Sequence, residues 1–235
     1  MSEGLAYFKE VYGTVPGWVG KMHDYRPDAL DHYTSLRSAI MEDGLLSRKE
    51  KDLLLVGINA ARCYERSMVY HTKGAIDGGA TIPELIEYLL VAYRYGGLQS
   101  MQTGIQSVKY ALALNGLPEG KVPYGICNEH ILSYFISVVD EEDAWFVSNL
   151  LKAPEELFND LLLVRGLVSA KMKFLLMVGI HSTALQGTEA GKWMEKARGS
   201  GATEGELAEV GLICLLTAGI PAWFEASDSL REGVG

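Results

Sequence analysis

The sequence predicts an all-α fold, and three observations support this prediction. Apolar residues recur at helical spacing along most of the chain, and few stretches show the period of two that is typical of strands. Capping boxes mark three helix starts, at Ser47–Glu50, Thr81–Glu84 and Thr203–Glu206. The last two boxes each follow a Gly-Ala pair, which suits the end of a preceding helix.

The chain also repeats itself. Ser47–Gly97 aligns without a gap with Ser169–Gly219, 122 positions later, and 17 of the 51 pairs are identical. About three or four identities would be expected by chance for this composition. The identities gather at Ser47–Ile58 and Gly79–Leu90, and they vanish between Asn59 and Gly74. The sequence therefore predicts a shared framework around a stretch that has diverged.

Each copy is predicted to contain a long helix, a tight glycine turn and a second helix. The loop "NGLPEGKVPY", residues 115–124, separates a predicted first repeat, residues 1–117, from a second and degenerate repeat, residues 118–235. Further helices are predicted at residues 27–42, 98–114, 128–140 and 154–164.

Composition excludes several classes of protein. The net charge of -9 argues against binding nucleic acid or an anionic membrane surface, although a local pocket can still take a small anion. No signal peptide is recognised, and no apolar run reaches the roughly 18 residues of a membrane span. The three cysteines are far apart, with no CxxC pair. We therefore expect a cytoplasmic protein with no disulfide framework, no metal and no organic cofactor.

The diverged stretch contains the candidate site. On one continuous helix, His71, Ser67, Tyr64 and Ala60 would form a single stripe, with Cys63 at its flank. The second copy has Gln186, Glu189 and Trp193 in place of Tyr64, Ser67 and His71. We therefore predict that only the first copy keeps a site centred on a histidine.

Two interpretations of this stripe are open. His71 is either a buried residue whose ring nitrogens bond to Ser67 and Tyr64, or a general acid or base that these hydroxyls orient. In the second interpretation, the substrate is held by residues close to the stripe. These candidates are Arg62, Arg66, Lys73 and Cys63.

The stretch "LSRKEKDLLLVGINAARC…H…GAIDGGATIPELIEYLL…YGG" resembles the carboxymuconolactone decarboxylase family, which shares the AhpD-like all-helical fold. The upstream "VYGTVPGWV" and "RPDALDHYTSLRSAIMEDGLLS" also look like that family's lead-in. The resemblance covers roughly Tyr12–Gly97, and more weakly Pro154–Gly219. Its motif is H-x7-GAT-x2-E, which begins at His71.

The resemblance implies that His71 lies on the active helix. The family's peroxidase branch has redox cysteines four and seven residues before this histidine, where the chain has Ser67 and Tyr64. The decarboxylase branch has a carboxylate at the Ser67 position; Glu189 supplies one in the second copy, without the histidine. The family's upstream acidic position matches Asp52. On a straight helix Asp52 would lie about 100° from His71 and could join the site only through a bend or a neighbouring helix.

The leading hypothesis is a carboxymuconolactone decarboxylase-like lyase that acts on a small organic acid or lactone by proton transfer, without a cofactor. One alternative is an AhpD-like thiol peroxidase that uses Cys63, which the missing partner thiol disfavours. Another is a non-catalytic oligomeric binding protein. Single-copy relatives tend to form hexamers, so the resemblance implies a homotrimer that rebuilds a pseudo-hexamer.

Overall fold

A computed structural model of the chain describes residues 2–120, 128–139 and 166–232. It also describes six separate positions: 141, 144, 145, 148, 162 and 163. Eleven helices have described bounds, and none of the described residues lies in a strand, so the all-α prediction is confirmed. The helices are α1 Glu3–Tyr12, α2 Gly17–Tyr25, α3 Pro27–Met41, α4 Arg48–Ala61, α5 Glu65–Asp77, α6 Ile82–Leu114, α7 Asn128–Val138, α8 Ala170–Thr183, α9 Gly187–Gly199, α10 Glu204–Ala218 and α11 Ile220–Ser227.

The predicted helices beyond the repeat agree with these bounds where the chain is described. Helices α3 and α7 match the predicted runs 27–42 and 128–140. The run 98–114 is the second part of α6, whose backbone leaves helical geometry at Gly97 (φ 64°, ψ -152°). The predicted helix 154–164 lies almost wholly outside the described residues, as does part of the loop 115–124.

The chain divides into two compact units, residues 1–44 and 45–235. In the first unit, α1, α2 and α3 bury Phe8, Val19 and Leu30 in one small core. Gly4 permits close packing there, because a Cβ on it would lie 2.6 Å from the Leu30 side chain. The main-chain amide of Gly4 also donates to Asp31 Oδ1 at 2.9 Å, which ties α1 to α3.

In the second unit, the almost fully buried helices α4 and α8 pack directly against each other. Glycines allow this approach. A Cβ on Gly57 of α4 would lie 2.8 Å from Leu176, and a Cβ on Gly179 of α8 would lie 2.5 Å from Ile58. The two contacts are equivalent in kind, since Gly57 and Gly179 occupy the same position in the two copies of the repeated sequence.

The helix boundaries follow the same spacing of 122 residues. Helices α8 and α9 begin and end 122 residues after α4 and α5, respectively. Helix α10 begins 122 residues after the start of α6. The capping boxes at Thr81 and Thr203 are both formed, as is the one at Ser47. Local capping chemistry therefore sets the same framework in both stretches of sequence.

Two glutamates, the buried Glu87 and the partly buried Glu209, form matching sets of contacts. Glu87 accepts hydrogen bonds from the amides of Leu167 and Val168, at 2.6 and 3.1 Å, and lies 2.7 Å from Lys173 Nζ. We call this set the Glu87 clasp.

The second set is the Glu209 clasp. Glu209 accepts from the amides of Leu45 and Leu46, at 2.8 and 3.0 Å, and lies 3.0 Å from Lys51 Nζ. Each glutamate thus holds the lysine and the helix entry of the opposite copy. The division at residues 117 and 118 stays a prediction.

Candidate active site

The candidate site begins with a break between α4 and α5. Helix α4 ends at Ala61, and α5 begins at Glu65, after Cys63 has taken a left-handed conformation with φ 56°. The amide of Tyr64 closes the turn by donating to the carbonyl of Asn59 at 2.8 Å. The prediction of one continuous helix through this stretch is therefore wrong, and with it the single stripe from residue 60 to residue 71.

The break folds α5 back onto α4 and brings Asp52 to His71. Nδ1 of His71 lies 2.8 Å from Oδ1 of Asp52. Both side chains are buried, with residue exposures of 1% for Asp52 and 3% for His71. The sequence allowed Asp52 to join the site through a neighbouring helix, and that is the arrangement found.

This contact fixes the chemical form of the imidazole. An ionised carboxylate can only accept, so Nδ1 of His71 carries the proton that is donated to Asp52. In the neutral ring Nε2 then holds the lone pair and can accept a proton. A carboxylate on Nδ1 also stabilises the imidazolium that forms when Nε2 is protonated, as it does in hydrolase triads.

Two further residues of the first repeat surround the Asp52 carboxylate. Arg48 lies one helical turn earlier on α4, and its Nε donates to Asp52 Oδ2 at 3.2 Å. Gly74 of α5 lies on the same oxygen: a Cβ there would come within 2.2 Å of Oδ2. The Asp52 carboxylate is therefore bound by Arg48 of α4, and it fits against α5 because Gly74 has no side chain.

Of the two hydroxyl residues predicted beside His71, only Ser67 lies on the same helix. Tyr64 precedes α5 as its N-cap residue, and 46% of its surface is exposed. Ser67 is half-buried on α5, one turn before His71. Neither side chain donates to or accepts from His71, whose Nδ1 is occupied by Asp52. The predicted position of Tyr64 depended on the continuous helix, whereas the i, i+4 spacing of Ser67 and His71 is present on α5 without a hydrogen bond between them.

The predicted substrate-binding cations have different surroundings. Nη1 of Arg62 donates to the carbonyl of Thr217 at 2.7 Å and lies 3.2 Å from its Oγ1, so Arg62 caps the C-terminal end of α10. Lys73 pairs with Asp77 one turn later on α5. Arg66 is exposed and forms no ion pair within the described residues.

The described cysteines differ in environment. Cys63 is exposed at the turn between α4 and α5. Cys214 is buried in α10, and this burial raises the pKa of its thiol to about 12. Cys127 lies outside the described residues.

The second repeat has aromatic residues where the first has Asp52 and His71. Phe174 and Trp193 occupy the matching positions, and their ring centroids lie 5.9 Å apart. Lys196, at the position of Gly74, places its Nζ 4.1 Å from the Trp193 ring centroid, in cation–π contact. The pairing of the two positions is kept, but a carboxylate and an imidazole are replaced by two apolar rings.

The remaining polar residues of the second repeat bond locally. Glu189 pairs with Lys192 on α9, with 2.6 Å between Oε1 and Nζ. Nδ1 of His181 lies 2.7 Å from Oε1 of Gln186. Burial lowers the pKa of His181 below its usual value, and the contact with Gln186 only partly offsets this.

Sequence reasoning missed Arg48, Gly74 and Thr217. The internal repeat contained a usable signal for the first two, because Arg48 and Gly74 are replaced by Ala170 and Lys196 in the copy that also lacks the histidine. Thr217 had no such signal, since its contact with Arg62 joins residues 155 positions apart.

Comparison with known proteins adds a match to a sequence family and matches to solved structures. Residues 27–109 match the profile of the carboxymuconolactone decarboxylase family. A candidate gamma-carboxymuconolactone decarboxylase subunit from Burkholderia xenovorans LB400 has the same fold, with a TM-score of 0.60 and 20% identity over 96% of this chain and 94% of its own. A second candidate carboxymuconolactone decarboxylase from that organism gives a TM-score of 0.45 and 25% identity over 48% of this chain and 90% of its own.

Two further findings are negative. No functionally curated protein matches the sequence. Among the helices of the described residues, none has the combination of length and apolar character that crossing a bilayer requires.

Proposed function

We propose that the chain is an enzyme that decarboxylates or isomerises a small organic acid or lactone by proton transfer at His71, since residues 27–109 match the model of the carboxymuconolactone decarboxylase family. In this proposal the reaction uses only side chains of the site, without a metal or an organic cofactor. Asp52 orients His71, and nearby cations on α5 bind the substrate's carboxylate.

The observation that carries the proposal is the buried contact between Asp52 and His71. Burying a carboxylate and an imidazole costs free energy unless each stabilises the other, so a fold that keeps such a pair gains little stability from it. The second repeat supports a functional role for the pair, since Phe174 and Trp193 fill the matching space with apolar contacts instead. The framework can evidently be built without the ionisable pair.

The chemistry follows from the state of the ring. In decarboxylation, the bond to the substrate's carboxylate breaks, carbon dioxide leaves, and the electron pair is taken up as an enolate. The protonated His71 ring then delivers the proton on Nε2 to the carbon that carried the lost carboxylate. Before the transfer, Asp52 stabilises the charge of the imidazolium. In isomerisation, neutral Nε2 removes a proton from one carbon and returns it to another.

Substrate recognition in this proposal uses the start of α5. Arg66 is exposed there and forms no ion pair within the described residues, which suits a cation that receives a ligand. Tyr64 exposes its ring at the same helix start. Arg62, held by Thr217, adds positive charge at the end of α4. Ser67 and Tyr64 are the candidate donors to a developing enolate oxygen.

We also propose that the chain is a tandem duplication in which the second copy serves as a structural partner. The matching helix boundaries and the crosswise Glu87 and Glu209 clasps support this. A chain of this kind resembles a dimer of single-copy subunits, so three chains would form a pseudo-hexamer. Sedimentation velocity tests this, with a trimer of the 25.7 kDa chain as the expected species.

One observation favours a second candidate function, a non-catalytic binding protein. His71 is only 3% exposed, so a substrate could reach it only if the neighbouring structure leaves a path or opens. The thiol peroxidase alternative has less support, because Ser67 and Tyr64 stand at the two redox positions and Cys63 lies at neither.

Turnover separates these functions. Purified chain is incubated with carboxymuconolactone and with a panel of small lactones and unsaturated carboxylic acids, and carbon dioxide release and product spectra are recorded. We expect wild type to convert at least one compound, His71→Asn to lose conversion, and His181→Asn to keep it. Since His181 is the other histidine buried in the second unit, it is the matched control. Equal conversion by wild type and His71→Asn would refute the proposal.

A further inference from the structure

The Asp52 carboxylate is constrained at Oδ2 from two sides. Arg48 Nε donates to this oxygen at 3.2 Å, from the same helix. Gly74, on the facing helix, leaves the space that the oxygen occupies, because a Cβ there would lie only 2.2 Å away. The other carboxylate oxygen of Asp52, Oδ1, accepts from Nδ1 of His71. Each part of the carboxylate therefore has a defined neighbour.

These residues change together between the two copies. Arg48, Asp52, His71 and Gly74 of the first repeat become Ala170, Phe174, Trp193 and Lys196 in the second. Most of the residues that cap the helices do not change in this way: Ser47, Thr81 and Glu84 are identical in the second copy, whereas Glu50 becomes Met172.

A residue needed only for the fold would be expected to follow the framework, as the caps do. Arg48 and Gly74 instead follow the acid and the histidine. In the second copy Lys196 uses the position of Gly74 for a contact with Trp193.

We propose that Arg48 and Gly74 are positioning residues that hold Asp52 in the one orientation that keeps the proton of His71 on Nδ1. The proposal rests on the proposed function of His71 for its catalytic meaning, but the positioning itself is a separate property of the site. Arg48 fixes the rotation of the carboxylate, and Gly74 permits its approach.

The geometry explains why both residues are needed. A carboxylate that turned away from His71 would leave the ring free to exchange its proton between the two nitrogens, since the tautomer is set by the bond that the other nitrogen makes. Arg48 opposes this rotation because its Nε donates to Oδ2 of Asp52. The Arg48 side chain is 34% exposed, and it reaches inward to a carboxylate that is almost fully buried. A side chain at residue 74 would push the same oxygen out of place.

The test reads the imidazole directly. Protein labelled with ¹⁵N-histidine gives separate Nδ1 and Nε2 resonances for His71, which are assigned by their loss in His71→Asn. We compare wild type with Arg48→Met, Arg48→Lys and Gly74→Ala. In wild type, the Nδ1–H form should dominate the neutral ring. Arg48→Met and Gly74→Ala should shift both resonances towards the average of the two forms, and Arg48→Lys should restore most of the wild-type signal.

Two variants control for side effects. Arg66→Met removes an exposed arginine of the same repeat, and Gly20→Ala adds a methyl group to a helix at a position with nothing within 4 Å. Neither should move the His71 resonances. Thermal unfolding identifies any variant that fails to fold, and Arg48→Gln replaces Arg48→Met in that case.

The outcomes are distinct. Unchanged His71 resonances in both Arg48→Met and Gly74→Ala would overturn the positioning proposal. With a substrate in hand, Arg48→Met should lower kcat by up to about 100-fold, as misplacement of a catalytic group can, while KM changes little. A tautomer shift with full turnover in His71→Asn would instead reject the proposed function and leave the positioning role supported.

Discussion

The crosswise clasps give a quantitative prediction about stability. Glu87→Gln keeps the size of the side chain but removes the charge that pairs with Lys173. The side chain of Lys173 is fully buried and that of Glu87 is 4% exposed, so solvent cannot replace the lost partner. One of the two carboxylate oxygens that accept from Leu167 and Val168 also becomes an amide nitrogen, which cannot accept.

The expected cost follows from this burial. Breaking a buried ion pair from one side costs about 3–5 kcal/mol, because the remaining charge stays buried without compensation. Burial already lowers the pKa of Lys173, and Glu87 is what opposes that shift. We therefore expect Glu87→Gln to lower the free energy of unfolding by about 3–5 kcal/mol.

Glu209→Gln is the matched comparison, since it alters the equivalent clasp. The Glu209 side chain is 19% exposed, so water can reach part of the site after the change. We expect a smaller loss of about 1.5–3 kcal/mol, the range for hydrogen bonds to a charged group. Adding Lys173→Met to Glu87→Gln should recover part of the first loss, with a coupling of about 0.5–3 kcal/mol.

The assay is equilibrium unfolding in urea, followed by circular dichroism at fixed protein concentration. Losses below about 1 kcal/mol for both glutamate variants would refute the reasoning, because such values are typical of exposed ion pairs. The absence of any recovery in the double variant would refute it equally, since the cost would then not come from the buried lysine.

Three further predictions concern other parts of the fold. Because burial lowers the pKa of His181, the unfolded chain binds protons more readily, and stability should fall as the pH drops below about 6.5; His181→Asn should flatten this fall in Tm measured between about pH 7.5 and about pH 5.5. Gly179→Ala should destabilise the chain by about 1–3 kcal/mol in urea unfolding through overpacking against α4, whereas Gly20→Ala should cost nothing. In the folded protein, a thiol reagent should label Cys63 and spare Cys214 until the chain is unfolded, as read by peptide mass mapping; labelling of both at equal rates would contradict the described burial.

The framework could be predicted because its signals are local. The Ser47, Thr81 and Thr203 caps depend on residues three positions apart, and all three form as the sequence indicates. The break at Cys63 could not be predicted in this way, since "NAARCY" contains neither glycine nor proline. Leu185, at the matching position in the second copy, is left-handed too, with φ 57°.

The site was predicted only in part, for the same reason. His71 and Asp52 were both identified, but their contact depends on the chain reversing between α4 and α5. On one continuous helix, Ser67 and Tyr64 are the predicted hydrogen-bond partners of the His71 ring. Arg48 and Gly74 act through Asp52, so their roles become visible only when Asp52 is placed.

The central claim is that Asp52 makes His71 a proton-transfer residue, and Asp52→Asn tests it most directly. The exchange keeps the volume of the side chain and removes its charge. With the substrate found in the conversion screen, the measurement is kcat for Asp52→Asn relative to wild type, at matched thermal stability. We predict a decrease of at least about 10-fold. Equal kcat values in the two folded proteins would contradict the account.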